Sequence, residues 1–524
     1  MSTAPPPTRI PSHDEDADPV TESASIESAS GATAELGGRL AGLPLWKQVA
    51  VLAIWPFFQQ VLAFLVNFVD TAIAGRLSVE ATNAIAIAAY FGWFLFLMTS
   101  AVGTGGAALI ARAIGAKHRG LANAGLAQSF VIALLWSALI GTLVFVGADF
   151  IGGLAQLEGQ SRDLCAEYLR IIALAAPATA ILAIGVACLS AAGDTRTPFL
   201  AMLAFNAVNV AASVYLAVSP WRFGLFGTEI EVPGLGLGVP GIAWGTAIAT
   251  VVGAALILIV LLNPKGPIRL RWFRLRPHLH TIRRIVRVAL PSLGEGVGHW
   301  SGNFLALMAI GLLGQRLLNE AYPGAHIVAI RIEALSFLPA MALATAAGTL
   351  TGQYLGAGSV AMAKKAAVGC WLTAAIPMTL LGLTFIAVPQ WWVGIVSTQP
   401  EHFELAPRLI QICGFVQFFF GSSIVLSGAM RGAGDTRRPM LMTVAMTWGV
   451  RLPLVLVVTL WLGGLPEWLG GVPAEQFDRP EPGAVAWLGS GLAAIWCVLC
   501  GELILRGIVF IAVFFRGGWA KVDV

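Results

Sequence analysis

Charge is scarce in this chain. Asp, Glu, Lys and Arg make up 11% of its 524 residues and 57% are hydrophobic, whereas an average soluble domain carries about 25% charged residues. A water-soluble globule is excluded, and a formal charge of +4 gives no reason to expect nucleic acid as a partner. Nucleotide-binding loops are missing as well: no GxxxxGK[ST] occurs, so no phosphate cradle is there to draw on ATP. The absence of HExxH, GxSxG and paired catalytic acids sets aside a membrane-embedded enzyme. Alternating ten-residue segments, the mark of a transmembrane barrel, are absent too. Cys497-Val-Leu-Cys500 has metal or redox spacing but lacks the second CxxC or histidine pair of a zinc site. With Cys165, Cys188, Cys370 and Cys413, these cysteines read as small packing residues in apolar segments.

What remains is long apolar segments. Twelve run at about residues 47–75, 83–111, 121–148, 164–190, 197–219, 240–263, 286–314, 324–355, 363–388, 405–430, 438–463 and 485–514, and about 20 residues suffice to cross the hydrocarbon core. Helices are required, because lipid offers no partner to a free backbone amide. The fold class that follows is an all-α integral membrane protein of twelve transmembrane helices. Its loops alternate. One set carries Arg112, Lys117, Arg119, Arg196, Lys364, Lys365, Arg431, Arg437, Arg438, Arg516 and Lys521. The other holds Glu80, Asp149, Glu158, Glu229, Glu231, Glu320, Glu401, Glu404, Glu475, Asp478 and Glu481. The positive-inside rule makes the first set cytoplasmic and places both termini inside a cell inner membrane. Residues 1–44 are polar, open without a signal-peptide pattern and are expected to be a disordered cytoplasmic tail. The central loop, 264–285, joins an N-lobe at 45–263 to a C-lobe at 286–515, with 516–524 as a cytoplasmic C-terminus. Its arginines read either as an orientation signal, the simpler option, or as a patch for acidic lipid head groups.

The halves are duplicates. Ala191-Ala192-Gly193-Asp194-Thr195-Arg196-Thr197-Pro198 recurs at an offset of 241 as Gly432-Ala433-Gly434-Asp435-Thr436-Arg437-Arg438-Pro439. The same offset aligns Leu109-Ile110-Ala111-Arg112-Ala113-Ile114-Gly115-Ala116 with Leu350-Thr351-Gly352-Gln353-Tyr354-Leu355-Gly356-Ala357. Six spans per half make the repeats parallel, a plan used by secondary transporters with the substrate path between lobes. In the first span, Asp70 is the only acid among nearly all-apolar residues. An ionised group at membrane depth costs at least ~2.5–3.5 kcal/mol, so such an acid faces a bundle interior or a wet cavity.

These residues resemble the multidrug and toxic compound extrusion (MATE) transporters. The likeness rests on Phe68-Val69-Asp70-Thr71-Ala72-Ile73-Ala74-Gly75-Arg76, on both repeated motifs, and on Ala325-His326 with Arg331-Ile332-Glu333. The resemblance implies an antiporter of two six-helix lobes that exports amphipathic, cationic small molecules in exchange for H+ or Na+, with no other cofactor. It makes Asp70 the main coupling carboxylate and a possible Na+ site, with Asn206 and Asn209 on one face of span five as its partners. Ser213 stands where some relatives carry a second acid. In span seven, Glu295 and His299 share a face and are the C-lobe candidates for ion or proton coupling. Gln60, Asn67, Phe68, Trp300, Arg331 and Glu333 are the candidate substrate contacts, and Phe64 and Trp93 are further aromatic faces for a planar cation. The partners expected are small amphipathic substrates and membrane lipids, and the protein is expected to act as a monomer. A lipid-linked saccharide flippase of the same broad superfamily is the alternative.

Overall fold

The computed structural model describes residues 36–37, 40–154, 159–225, 228–232, 234–319, 321–467, 470–473 and 490–522. Ten helices among them are long and apolar enough to cross a membrane, and two further pairs, bent by 57° and 61°, each complete one more span. The N-lobe comprises α1 (Leu45–Leu77), α2 (Val79–Gly115), α3 (Arg119–Leu154), the bent pair α4 (Gly159–Leu174) and α5 (Ala176–Ala191), α6 (Arg196–Ala217) and α7 (Val239–Leu262). Its mate comprises α8 (Leu279–Arg316), α9 (Ala321–Gly356), α10 (Val360–Ala387), the short α11 (Pro389–Val396) and the bent pair α12 (Pro400–Gly414) and α13 (Gln417–Gly432). Span eleven follows as α14 (Arg437–Met446), a π-helical turn (Thr447–Arg451) and α15 (Leu452–Gly463), and span twelve is α16 (Gly491–Phe515). Among the described residues the fold is all-α apart from one hairpin between α6 and α7, in which β1 (Trp221–Leu225) pairs antiparallel with β2 (Thr228–Val232).

The bends fall at the same place in each repeat. Pro177, near the start of α5, has no amide to give the carbonyl of Ala173, so the helix loses a bond there. In the C-lobe, Gly414 and Gly382 of α10 press together, and a Cβ on either would lie within 2.6 Å of the other's carbonyl oxygen.

The repeated motifs explain how the lobes meet. Helix α1 packs on α9, α2 on α8, and α2 on α9 where the two sets of contacts cross. At that crossing a Cβ on Gly115 would come 1.9 Å from the carbonyl oxygen of Gln353, and one on Gly356 would come 2.1 Å from that of Arg112. Only glycine permits this reciprocal approach. The fourth residue of each motif then reaches into the other lobe: Arg112 donates to the carbonyl of Ala433 at 2.8 Å, and Gln353 to that of Ala191 at 2.9 Å. The Gly-Asp-Thr turns behave alike. Gly193 and Gly434 take φ of 88° and 87°, values that suit a residue without a Cβ. Asp194 accepts from the amide of Thr197 and Asp435 from that of Arg438, capping α6 and α14. Thr195 donates to the carbonyl of Val51 and Thr436 to that of Val288. Val51 and Val288 are thereby structural equivalents in the first helix of each lobe.

Segments outside the spans are tied down at this same end. Residues 1–35 lie outside the described residues, but Leu36 and Leu40, placed by composition in the disordered tail, are buried against the C-lobe core. Apolar side chains at the tail's end override its polar average. At the other terminus Trp519 is buried and stacks on Phe514 with centroids 5.0 Å apart, and Arg112 donates to the carbonyl of Val522. The central linker is docked as well: Ile268 and Leu270 are buried in the N-lobe core, and Gln128 of α3 donates to the carbonyls of Arg274 and Arg276.

Candidate functional site

Each lobe encloses polar side chains, and the two sets differ. In the N-lobe, Asn206, Asn209 and Ser213 are buried along one face of α6. Asn206 donates to its own helix at the carbonyl of Met202 (2.6 Å), and Asn209 donates to the hydroxyl of Thr246 on α7 (2.9 Å). The amide oxygens of both asparagines and the hydroxyl of Ser213 have no hydrogen-bond partner among the described residues. Leaving a buried polar group unsatisfied costs about 1–3 kcal/mol, so three in a row form a strip of oxygen acceptors fit for a cation or a proton-bearing group. Helix α1, which carries Asp70, packs on α6. The side chains of Asn67, Phe68, Asp70 and Trp93 lie outside the described residues. Gln60 is half-buried on α1. Ser213 is close against Gly245, where a Cβ would lie 2.4 Å from its hydroxyl.

The C-lobe interior is charged. Glu295, expected from the resemblance to be an ion or substrate carboxylate, is gripped by both arms of Arg431 at 2.7 and 3.2 Å and accepts from Thr443 at 3.1 Å. Glu502 is shared by Arg451, at 2.6 and 3.0 Å, and Arg506, at 2.7 Å. The local Glu502–Arg506 pair is the one that helical spacing offers; Arg451 joins it from the π-helical turn. Arg451 also donates to Asn303 at 2.6 Å, and Arg506 to Thr447 at 3.0 Å. His299 contacts Asn303 through Nε2 at 3.2 Å, while its buried Nδ1 has no partner among the described residues. Glu333 makes no ion pair among the described residues; Cys413 and Arg451 are among its neighbours. Arg331 is exposed on the other side of α9. Trp300 lies at the lobe interface, its ring 4.7 Å from that of Phe94 on α2 and stacked 5.7 Å from Phe304.

The sequence thus gathers Asn206 with Asn209, and Glu295 with His299 on one helix, but brings neither pair to the other. Thr246, Asn303, Arg431, Thr443, Arg451 and Thr447 were not anticipated as site residues. Their partners are far away in the chain, and no spacing rule connects them. Arg431 in particular reads from the sequence as a loop charge.

A duplicated twelve-span bundle with enclosed polar groups in each half defines a membrane transporter. The chain belongs to the MatE family, whose profile matches residues 57–215 and 291–457, one stretch in each lobe. This is the family of MATE multidrug efflux transporters. Among relatives, the probable multidrug resistance protein NorM of Thermotoga maritima is 26% identical over 479 residues, covering 91% of this chain and 93% of its own. The multidrug resistance protein PmpM of Pseudomonas aeruginosa is also 26% identical, covering 87% of this chain and 91% of its own. A multidrug resistance MATE family transporter of the MOP superfamily in an outward-facing conformation shares the fold with a TM-score of 0.75 at 18% identity, over 91% of this chain and 97% of that one.

Proposed function

We propose that the chain is an antiporter that exports amphipathic, cationic small molecules in exchange for H+ or Na+, with Asp70 as its main coupling carboxylate. The observation that carries this reading is the strip of unsatisfied oxygens of Asn206, Asn209 and Ser213 on α6, beside the helix that bears Asp70. Two amide oxygens and a hydroxyl are hard, neutral donors. They suit Na+ held with a carboxylate, or a protonated carboxyl that donates to one of them. Binding of either ion neutralises Asp70 and shifts the balance between two lobe arrangements, because the ion favours one of them.

With the basic end taken as cytoplasmic, the Gly115–Gln353 and Gly356–Arg112 crossing closes that side, as an outward-facing arrangement requires. Both termini then lie inside a bacterial inner membrane, as the loop charges suggest, and the chain works as a monomer. The multidrug names of the relatives support the substrate class. The flippase alternative wants free positive charge around a pyrophosphate. Arg431, Arg451 and Arg506 are instead each ion-paired with Glu295 or Glu502, which favours the antiporter.

The test is efflux of a fluorescent cation from loaded proteoliposomes under separately imposed Na+ and H+ gradients, wild type against Asp70→Asn. One gradient should drive wild-type export, and the variant should lose at least about 100-fold of it, in keeping with a group that carries the coupled charge. Undiminished export by the variant removes Asp70 from the mechanism.

A further inference from the structure

The equivalence of Val51 and Val288 puts Trp46, Val49, Ala50, Ala53 and Ile54 of α1 at the positions of Arg283, Val286, Arg287, Leu290 and Pro291 of α8. Both strips line a cavity at the basic end of the bundle. The one on α1 is about 710 Å³ and is walled by apolar side chains of α9 such as Leu343. The one on α8 is about 570 Å³ and is completed by Arg437 at the start of α14. The same corner of the repeat is thus apolar in one lobe and holds three arginines in the other.

Among the described residues those three guanidinia have no carboxylate partner. Nearby carboxylates are already paired, Asp435 with Arg438 and Glu295 with Arg431, and Arg283, Arg287 and Arg437 make no ion pair among the described residues. Just beyond them Leu290 and Leu441 are 63% and 61% exposed. The cavity therefore presents cationic planar donors at its mouth and an apolar shelf along the helices. Guanidinium groups match phosphate oxygens in pairs, and the shelf matches hydrocarbon. We propose that this corner binds an anionic phospholipid, its phosphate among Arg283, Arg287 and Arg437 and its acyl chain along Val286, Leu290 and Leu441. A soluble anion would use only the arginines and leave the shelf uncovered. The proposal does not depend on the coupling ion or on Asp70.

The test uses the full chain purified in detergent and native mass spectrometry, with equal amounts of phosphatidylglycerol and phosphatidylcholine added. Phosphatidylglycerol should be retained selectively. R283Q/R287Q/R437Q should lower its affinity on the order of 100-fold, at roughly fivefold per cation near an anionic lipid, and R437Q alone by about fivefold. K364Q/K365Q/K521Q, which removes equal charge elsewhere at the same end, should leave retention unchanged. Equal retention of the two lipids by wild type overturns the proposal, as does displacement by millimolar inorganic phosphate, which would give the pocket to a soluble anion. So does loss of retention in the lysine control, which would mean diffuse surface attraction. Wild-type selectivity and R437Q keep the test decisive where the triple variant does not fold.

Discussion

The two lobes were built from one repeat, yet their polar interiors differ: one carries neutral amides and a hydroxyl, the other ion-paired charges. The N-lobe strip, Asn206, Asn209 and Ser213, has acceptors without a partner among the described residues. In the C-lobe, Glu295 and Glu502 are bound by three arginines and by Thr443, and the arginines also reach Asn303 and Thr447. A group that gains and loses an ion must sit where binding capacity is unspent. A cluster of buried, paired charges such as Glu502 with Arg451 and Arg506 resists change instead, because removing one member strands another in low dielectric. The difference fits the proposed reading, with switching in the N-lobe and a more rigid interior in the C-lobe.

The largest effect should come from breaking that paired cluster. Glu502→Ala strands Arg451 and Arg506 and should cost about 3–5 kcal/mol, read as a lowered unfolding transition and lost monodispersity. Replacing Arg451, Glu502 and Arg506 together with Met, Leu and Met should recover much of that loss, since no charge is then left alone. If Glu502→Ala unfolds like wild type, the C-lobe is not the rigid partner. The reverse pattern is expected in the N-lobe. Asn209→Leu gives up the bond to Thr246 but also removes an unsatisfied oxygen, so stability should change by less than about 1 kcal/mol, while gradient-driven efflux should fall at least tenfold. Stability loss as large as in Glu502→Ala would erase the contrast between lobes.

A third test acts on the seam that couples the lobes. Gly356→Val puts side-chain atoms into the carbonyl of Arg112, and overpacking of this kind costs about 1–3 kcal/mol. The closed arrangement alone bears that cost, so spin labels at Lys117 and Ser359 should move apart in the variant. An unchanged distance distribution would mean that this glycine crossing does not hold the basic end shut.

Much of this was legible in the sequence, for local reasons. A span announces itself by twenty apolar residues, and the repeat by glycines and an aspartate at turns whose geometry needs those residues. The contacts that make the interior were not legible. Glu295 shows its helix face but not that Arg431 will be laid on it, and Glu502 shows Arg506 four residues on but not Arg451. Which acids are free and which are paired depends on helices that meet only after folding. The bends beside Ala175 and at Gly414 were hidden likewise, because both spans read as continuous apolar runs. Leu36 and Leu40 were overlooked because composition averages a segment, and two well-placed leucines suffice to dock its end.

The smallest expected effect gives the sharpest version of the comparison. Among the described carboxylates inside the C-lobe, Glu333 has no guanidinium bonded to it; Cys413 and Arg451 are its neighbours. If the C-lobe is only a scaffold, Glu333→Gln keeps the shape, removes one carboxylate near Arg451, and should cost less than about 2 kcal/mol. Efflux under the driving gradient should then fall less than threefold, and its dependence on that gradient should keep the wild-type form. A loss approaching that of Asp70→Asn, with stability intact, would mean that the C-lobe too keeps a carboxylate in reserve. The division of labour between the lobes would then be wrong, and Glu333 would be a second coupling site.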